Sequence, residues 1–430
     1  MRTSVTINIA NPVIFKQKIL TWSQHFREII LLDSNDYPSQ YSSYDCILAI
    51  DAFTSIKTDF NNAFDDLKQY QQSTKDWIFG YLSYDLKNNT EDLKSNNFDS
   101  LGFSDLYFFQ PKKLFLLKEN NLEIKYLNLC DEEIEVDLKE IQNTNCEIKL
   151  AENPTKTAIQ QRISKEEYLN KLTKMFAYIN SGDIYEANFC MEFFAENADI
   201  NPVEIFRNLN AISEPPFAVF FKNNKQFLLS ASPERYLKKD ENTIISQPIK
   251  GTARRHPDFE EDEKIKNELF LNEKERSENI MIVDLVRNDL SKTAQKGSVV
   301  VNELCKPYTF KQVHHLISTV TSQLDKEYSA VDVIKSTFPM GSMTGAPKIS
   351  AMKIIEELEA TKRGLYSGAV GYFTPEGDFD FNVVIRSILY NQENKYLSFS
   401  VGSAITAEAV AEQEYEECML KAKAMLAVLG

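Results

Sequence analysis

The sequence predicts an α+β fold with largely antiparallel sheets. Strand-like and helix-like segments come in groups along the chain rather than in strict alternation, which favours this class over a parallel α/β sheet. Turn residues separate neighbouring strand-like runs, as is typical of hairpins. The chain has 430 residues, of which 43% are hydrophobic and 26% charged, so it can bury a full core.

The first 140 residues contain short apolar runs between polar turns, at 46–53, 76–86 and 113–129. The last of these runs predicts a hairpin that turns at Glu119-Asn120-Asn121. From Asn143 to Ala158 the composition becomes polar and irregular. This stretch predicts a boundary between an N-terminal region, residues 1–150, and a second region, residues 160–430.

Helix signals dominate several later segments. Ser164 followed by Glu167 predicts a capping box, and apolar residues at helical spacing continue to a stop at Gly182. Residues 261–290 predict one long helix, and residues 412–429 an amphipathic one. Between them, residues 364–390 and 395–406 predict strands joined by glycine turns.

Composition excludes several classes of protein. The formal charge is −15 and no long Lys/Arg cluster occurs, so nucleic acid is not an expected partner. The sequence contains no run of about 18 apolar residues, so it predicts no membrane-spanning helix. The N-terminus lacks the apolar core of a secretory signal, so we expect no membrane association and a cytoplasmic location.

The six cysteines are scattered without Cys-x-x-Cys spacing, which predicts buried reduced thiols rather than a zinc site. With only four histidines, any metal should be a hard cation held by carboxylate oxygens. Two Glu-x-x-Glu pairs on predicted helices, Glu275/Glu278 and Glu414/Glu417, could present such oxygens because residues three apart share a helix face. The alternative is a solvated acidic helix face.

Several single residues have both a structural and a functional interpretation. Lys250, next to Gly251, is either solvated or a desolvated nucleophile. Glu234 is either an arginine-paired carboxylate or a general acid with a raised pKa. His315 is either a packing residue or part of a site. Lys421 pairs with Glu417 on the helix surface or faces an anionic ligand.

The loop 338–348 is rich in glycine, proline and hydroxyl groups and leads into a helix, which suits binding of a carboxylate or phosphate. It lacks the spacing of a P-loop, so nucleotide binding is not expected. Arg386, in a strand-like run, either binds a carboxylate with both guanidinium nitrogens or forms an ordinary salt bridge.

Together these segments resemble the chorismate-utilising enzymes, which include the anthranilate, aminodeoxychorismate, isochorismate and salicylate synthases. Nine strings carry the resemblance, in the order found in that family. They are SGDIYEANF (181–189), SPERY (232–236), PIKGTARR (248–255), NEKERSENIMIVDLVRNDL (272–290), HHLIST (314–319), FPMGSMTGAPKISAMKIIEELE (338–359), GLYSGAVGY (364–372), DFNVVIRS (380–387) and EQEYEECMLKA (412–422).

The resemblance implies two packed, mainly antiparallel sheets flanked by helices, with the N-terminal region interleaved with the chorismate-binding part. It implies Mg²⁺ as the cofactor, held at Glu278 and Glu417 with Glu275 and Glu414 beside them. Glu234 matches the general acid and His315 an active-site histidine. The implied substrate-binding residues are Gly251, Thr252, Ser342, Tyr366, Arg386, Gly402 and Lys421.

Lys250 implies the branch of the family. The resemblance assigns it attack on C2 of chorismate, followed by its displacement when ammonia arrives at C4. Anthranilate synthases usually have alanine there. Glu186 occupies the place of a lysine in the water-adding enzymes and of a glutamine common in the amination enzymes. Its role is left open by the sequence.

Two further observations concern departures from the family and regulation. The family's Gly-Ala-Gly-Ile reads Gly402-Ser403-Ala404-Ile405 here, which puts a backbone N–H contact at Ala404 in doubt. The string LLDS (31–34) resembles the element that forms the tryptophan inhibitor site of anthranilate synthases, but related elements occur in aminodeoxychorismate synthases. Whether tryptophan binds is left open.

The resemblance therefore implies C4 amination of chorismate to 4-amino-4-deoxychorismate, toward p-aminobenzoate and folate. No Cys-His-Glu glutaminase pattern is present, so we expect ammonia from a separate glutamine amidotransferase subunit. The alternatives are anthranilate synthase component I and a non-catalytic chorismate-binding scaffold subunit.

Overall fold

The computed structural model describes residues 1–38, 40–146 and 157–430. Within these ranges the chain forms eleven α-helices and twenty β-strands, numbered here in chain order. The helices are α1 (Pro12–Trp22), α2 (Ala63–Thr74), α3 (Lys87–Thr90), α4 (Ile134–Asn143), α5 (Lys165–Asn180), α6 (Pro202–Ser213), α7 (Phe259–Leu271), α8 (Glu273–Ser291), α9 (Ala330–Thr337), α10 (Lys348–Leu358) and α11 (Ala411–Leu429). The strands are β1 (Arg2–Asn8), β2 (Glu28–Asp33), β3 (Cys46–Thr58), β4 (Ile78–Leu82), β5 (Leu106–Lys118), β6 (Asn121–Leu127), β7 (Gln160–Gln161), β8 (Glu186–Ala195), β9 (Phe217–Asn223), β10 (Gln226–Ser232), β11 (Arg235–Asp240), β12 (Thr243–Ser246), β13 (Ile249–Arg254), β14 (Val300–Thr309), β15 (Val313–Gln323), β16 (Gly345–Ala346), β17 (Ala369–Phe373), β18 (Phe379–Val383), β19 (Ser387–Asn391) and β20 (Tyr396–Thr406).

The pairings between these strands are antiparallel and form one continuous network with two arms. The first arm runs β1–β6–β5–β3–β2–β9–β10–β19–β20–β8. The second arm leaves β5 through β4 and continues β17–β18–β11–β12–β15, where β13 and β14 also pair with β15. The long strands β3 and β5 bend where their register shifts between Ala52 and Thr54, as a bulge allows.

The two arms pack face to face. Tyr81 of β4, in the second arm, contacts Phe221 of β9, in the first, with ring centroids 5.4 Å apart. In β2, Ile30 joins this inner cluster, whereas Ile29 and Leu31 join an outer cluster with residues of α1 and other helices. Successive side chains of a strand point to opposite faces, so both faces of the central strands are buried. The prediction of an α+β fold with packed antiparallel sheets is confirmed.

Local predictions made from caps and turns are also confirmed. Ser164 and Glu167 form a capping box at the start of α5, with the Ser164 side chain accepting from the backbone of Glu167. The hairpin of β5 and β6 closes with Lys118 opposite Asn121. The amphipathic C-terminal helix is α11. All six cysteines are unpaired, and all but Cys146 are buried.

The prediction of one long helix over residues 261–290 is wrong. Helix α7 ends at Leu271 and α8 begins at Glu273, because Asn272 is extended (φ −67°, ψ 112°). Its side chain accepts a hydrogen bond from the N–H of Glu275, so it caps the second helix, as asparagine commonly does. Helix α8 therefore starts separately from α7, and its first two turns place Glu275 and Glu278 at the wall of a cavity.

The predicted boundary at 143–158 lies largely outside the described residues, and the division at 150 and 160 stays a prediction. Strands from the two sides pair with each other, β2 with β9 and β4 with β17. None of the helices in the described part of the chain combines the length and the apolar composition that a membrane crossing needs.

Candidate active site

A cavity of about 630 Å³ lies among β13, β20, α8 and α11. Its wall includes every residue for which the sequence predicted a site role. These are Glu234, Lys250, Gly251, Thr252, Glu275, Glu278, His315, Ser342, Tyr366, Arg386, Gly402, Glu414, Glu417 and Lys421. Residues far apart in the sequence therefore converge on one space. Their individual roles stay predictions, which the geometry below makes specific.

Lys250 reaches the cavity from an irregular point of β13. The register of β13 against β15 shifts between Lys250 and Thr252, and Gly251 at this shift has φ +85°. A Cβ added to Gly251 would lie 3.2 Å from both Glu275 Oε2 and the Leu316 side chain. Both the positive φ and the close packing favour glycine at this position.

The amine of Lys250 is ion-paired rather than free. Its Nζ lies 2.7 Å from Oε1 of Glu186. Burial disfavours the ammonium form, but the carboxylates of Glu186, Glu278 and Glu417 more than offset burial and raise the pKa of Lys250. One interpretation of the sequence was that Lys250 is desolvated and loses its proton. In this structure the surrounding carboxylates instead favour the protonated form.

Glu186, whose role the sequence left open, is held rigidly at the start of β8. It pairs with Thr406 of β20 on one side and with Ala346 of β16 on the other. A Cβ on Gly345 would lie 2.1 Å from the Glu186 carbonyl oxygen, so only glycine allows β16 to approach this closely. The Glu186 side chain is 1% exposed, and among the described residues its Oε2 has no hydrogen-bond partner.

Glu234 has the environment of a general acid. It lies just before β11, is buried, and accepts hydrogen bonds from the Ser342 hydroxyl and the Ile249 N–H. Burial raises the pKa of Glu234 to about 7, although these hydrogen bonds and the positive charges of Lys250 and Lys421 oppose the shift. A carboxyl group with such a pKa is partly protonated at neutral pH and can donate a proton.

His315 of β15 is a neutral imidazole in this site. Its Nδ1 lies 3.1 Å from the Gly251 carbonyl and 3.0 Å from the Thr252 hydroxyl. A carbonyl can only accept, so the hydrogen-bond network assigns the proton to Nδ1 and leaves Nε2 as an acceptor. Burial, followed by the charge of Arg386, lowers the pKa of His315 to about 3.

Arg386, Tyr366 and Lys421 provide cationic and hydroxyl groups on the cavity wall. Arg386 has φ +52° in the turn between β18 and β19, and its Nη1 donates to the Lys421 carbonyl at 3.3 Å. Lys421 Nζ lies 2.6 Å from Glu417 Oε1 and 2.8 Å from the Gly402 carbonyl. Lys421 therefore forms the ion pair with Glu417 and also lines the cavity. The two alternatives drawn from the sequence, a pair on the helix and a position facing a ligand, are compatible with each other.

The four predicted metal-site glutamates line the same cavity from α8 and α11. Burial raises the pKa of Glu275, Glu278 and Glu414, and neighbouring carboxylates contribute to each increase. The pKa of Glu278 is raised to about 7. Lys274 offsets part of this charge, with its Nζ 3.4 Å from Glu414 and 3.9 Å from Glu278. Lys421 lowers the pKa of the more exposed Glu417 against the effect of burial.

This donor set suits a hard cation, because four carboxylates line one cavity and the neighbouring lysines offset only part of their charge. Among the described residues, however, no group of three or more His, Cys, Asp or Glu side chains is already close enough to hold a metal ion. The lysine ammonium groups pair with the carboxylates in this structure. The chemistry of the residues fits Mg²⁺, and their present spacing does not form a closed site.

Comparison with known proteins decides the family. A sequence model of the family described as chorismate binding enzyme matches residues 27–427. This chain belongs to the chorismate-binding enzyme family.

Relatives of this chorismate-binding enzyme cover most of its length. Aminodeoxychorismate synthase component 1 of Bacillus subtilis (strain 168) is 33% identical over 387 residues, which are 87% of this chain and 79% of that protein. Anthranilate synthase component 1 of Aquifex aeolicus is 32% identical over 364 residues, which are 81% and 73%. The crystal structure of anthranilate synthase component I from Streptococcus pneumoniae has a TM-score of 0.78 and 26% identity, with 90% and 93% covered. The relatives are named for two synthases, so they show the family and not the individual reaction.

In this chorismate-binding enzyme, sequence reasoning missed Lys274 and left the role of Glu186 open. Lys274 lies four residues before Glu278, and this helical spacing was the available signal for their ion pair. Glu186 gave no signal of its partner, because the contact with Lys250 joins two strands that do not pair with each other. Only the fold brings these two side chains together.

Proposed function

We propose that this chorismate-binding enzyme aminates chorismate at C4 and forms 4-amino-4-deoxychorismate. The observation that carries the proposal is the position of Lys250, whose amine lies in the cavity beside a buried carboxylate, with the buried acid Glu234 on the same wall. A lysine here can occupy C2 of the ring transiently, which directs ammonia to C4. Relatives named aminodeoxychorismate synthase support the same reaction.

In the first step Lys250 Nζ forms a bond to C2, the ring double bonds shift, and the bond from C4 to its hydroxyl oxygen breaks. Glu234 donates its proton to this hydroxyl, which leaves as water. In the second step ammonia adds at C4, the double bonds shift back, and the bond from C2 to Lys250 breaks. The new C4 nitrogen then gives its extra proton to Glu234, which restores the acid. The raised pKa of Glu234 suits it for the first step, because the group must arrive protonated.

The remaining wall residues bind and orient the substrate. Arg386 presents a guanidinium group, the geometry of which matches a carboxylate, and Tyr366 lies beside it on the same wall. The neutral His315 offers Nε2 to the ring without adding a positive charge that would repel the ammonium form of Lys250. Gly402 keeps its strand close to β8, since a Cβ there would lie 2.6 Å from Cys190 Sγ.

Mg²⁺ would be held by Glu278 and Glu417, with Glu275 and Glu414 beside them. When bound, it neutralises the ring carboxylate of chorismate and the crowded glutamates. The raised pKa values of Glu275, Glu278 and Glu414 indicate that these carboxylates need a compensating cation. The ion would compete with Lys274 for Glu414 and Glu278.

Glu278→Gln is expected to weaken Mg²⁺ binding by at least about tenfold, because an amide lacks the negative charge that this ion prefers. The measurement is titration calorimetry with Mg²⁺, or the loss of free Mn²⁺ signal in electron paramagnetic resonance, on the enzyme without substrate. Glu273→Gln is the matched control, since Glu273 is exposed on the same helix and does not line the cavity. Equal affinity in both variants would remove Glu278 from the metal site.

Ammonia is proposed to come from a separate glutamine amidotransferase subunit. Two relatives, of which this chain covers 79% and 73%, have names that include component 1. That name fits a synthase that works with another component. The cavity is not fully enclosed, so we expect free ammonium to replace the partner in an assay of the isolated chain.

The experiment that tests the proposal is identification of the product. The purified chain is incubated with chorismate, Mg²⁺ and concentrated ammonium, and the products are separated by chromatography with mass detection. An aminated chorismate that retains its enolpyruvyl group is expected. Anthranilate with pyruvate would show the alternative reaction, anthranilate synthesis, and the absence of any product, also with an added glutaminase, would favour a scaffold subunit.

A further inference from the structure

Lys250 must lose a proton before its nitrogen can attack, and its surroundings contain several carboxyl groups. The carboxyl groups that interact electrostatically with Lys250 belong to β8, α8, α11 and the residue preceding β11. They are Glu186, Glu275, Glu278, Glu417 and Glu234. Among the residues that the structure describes, Glu186 is the one carboxylate within 4.0 Å of Lys250 Nζ.

We propose that Glu186 accepts the proton of Lys250 as the lysine attacks C2, and returns it when ammonia displaces the lysine. This inference rests on the proposed function and assigns the step that the function leaves open. The balance is simple: the ammonium of Lys250 and the carboxylate of Glu186 become an amine and a neutral carboxyl group. The pair keeps its total charge, so no ion has to cross into the buried site.

The contact has the geometry that direct transfer needs. The 2.7 Å separation between Nζ and Oε1 is a short hydrogen bond between charged groups, along which a proton can move without a bridging water. Glu186 is fixed by strand pairing on both sides, and Gly345 permits the closer of these approaches. The acceptor therefore does not have to be recruited by a movement of the backbone.

The free oxygen of Glu186 supports the same role. Oε2 is buried and no residue in the described part of the chain donates a hydrogen bond to it, so the carboxylate of Glu186 is stabilised mainly through the single oxygen that faces Lys250. Once the lysine becomes neutral, a buried carboxylate with one unpartnered oxygen is unfavourable. Protonation of Glu186 removes that charge, so loss of the proton by Lys250 and its gain by Glu186 favour each other.

The other candidate bases are engaged elsewhere. Glu234 accepts from Ser342 and Ile249 and is needed in its protonated form. The Nδ1 of His315 faces the Gly251 carbonyl, and the low pKa of this imidazole makes it a weak acceptor. Two different carboxyl groups thus serve the two proton transfers, Glu186 as the acceptor and Glu234 as the donor.

The test is the pH dependence of Glu186→Gln relative to the wild-type enzyme. Both are assayed at saturating chorismate with the concentration of free NH₃ held constant, and the ratio of their rates is taken at each pH. Glutamine preserves shape and burial but cannot take a proton, so Lys250 must release its proton to solvent. The ratio of wild-type to variant rate is expected to increase about tenfold for each unit of decreasing pH while Lys250 remains protonated. The ratio cancels other titrations that both enzymes share.

Glu186→Asp is the second variant, since it keeps a proton acceptor on a shorter side chain. It is expected to be slower by a factor that does not change with pH. A pH-independent loss in Glu186→Gln, or a rate equal to or above that of the wild type at every pH, would overturn the inference. Thermal unfolding of each variant shows whether a loss of rate reflects a loss of folded protein.

The same chromatograms separate failure of this inference from failure of the proposed function. If the wild-type enzyme forms an aminated chorismate and the rate ratio is constant, the inference alone is wrong. If the wild-type enzyme forms anthranilate or no product, the proposed function is wrong, and the proton transfer assigned to Glu186 falls with it.

Discussion

Lys250→Ala is expected to lower the formation of 4-amino-4-deoxychorismate by at least about 10³-fold, the scale on which loss of a covalent nucleophile acts in other enzymes. Without the amine, C2 is not occupied and ammonia is no longer directed to C4. The measurement is the initial rate of product formation by mass detection, with anthranilate followed in the same chromatogram. A rate equal to that of the wild type would show that Lys250 forms no covalent bond in the reaction.

Lys250→Ala has to be compared with a second variant, because it leaves the buried carboxylate of Glu186 without its partner. Glu186 is 1% exposed, and removal of its partner is expected to destabilise the fold by roughly 3–5 kcal/mol. The double variant Lys250→Ala/Glu186→Gln removes both charges and should recover much of this stability in thermal unfolding. If the double variant is stable and slower than Glu186→Gln alone, the additional loss comes from the missing amine and not from unfolding.

Glu234→Gln is expected to lower the rate by roughly 10²–10⁴-fold, the usual contribution of a general acid. Glutamine is similar in shape and keeps the interaction with Ser342 possible, but it cannot protonate the departing hydroxyl. The wild-type rate should fall as the pH increases above about 7, because the required protonated form of Glu234 disappears as the pH passes its pKa. The measurement is the rate at saturating chorismate and constant free NH₃ from pH 6 to about 9.

The residual rate of Glu234→Gln is expected to lack this decrease with pH. The matched comparison is Glu278→Gln, in which Glu234 is intact and the decrease should persist. A wild-type rate that stays level through pH 7, together with a variant that is equally fast, would show that another group donates the proton.

The sequence predicted the elements that carry local signals. The capping box at Ser164, the hairpin at residues 119–121 and helix α11 are encoded within a few residues, so propensity and spacing were enough. The break at Asn272 was missed because residues 272–279 contain neither glycine nor proline, the residues that usually mark the end of a helix. Only the side chain of Asn272, which caps α8, indicates that one helix ends and another begins.

The members of the cavity wall could be predicted, because they lie in strings that resemble a known family. The charge state of Lys250 could not, because it depends on carboxylates from three other elements. The contact of Lys250 with Glu186 was hidden for the same reason. Residue identity predicts which groups a site contains, whereas the proton positions depend on distances that arise only in the folded chain.

The pairing of strand β4 has a consequence for folding during synthesis on the ribosome. One of its edges pairs with β5 soon after synthesis, but the other pairs with β17, about 290 residues later. At roughly 5–20 residues per second, the nascent chain carries this apolar edge without its partner for about 15–60 s. An exposed strand edge of this kind promotes aggregation. Faster translation and a larger supply of chaperones are therefore expected to increase the yield of folded enzyme.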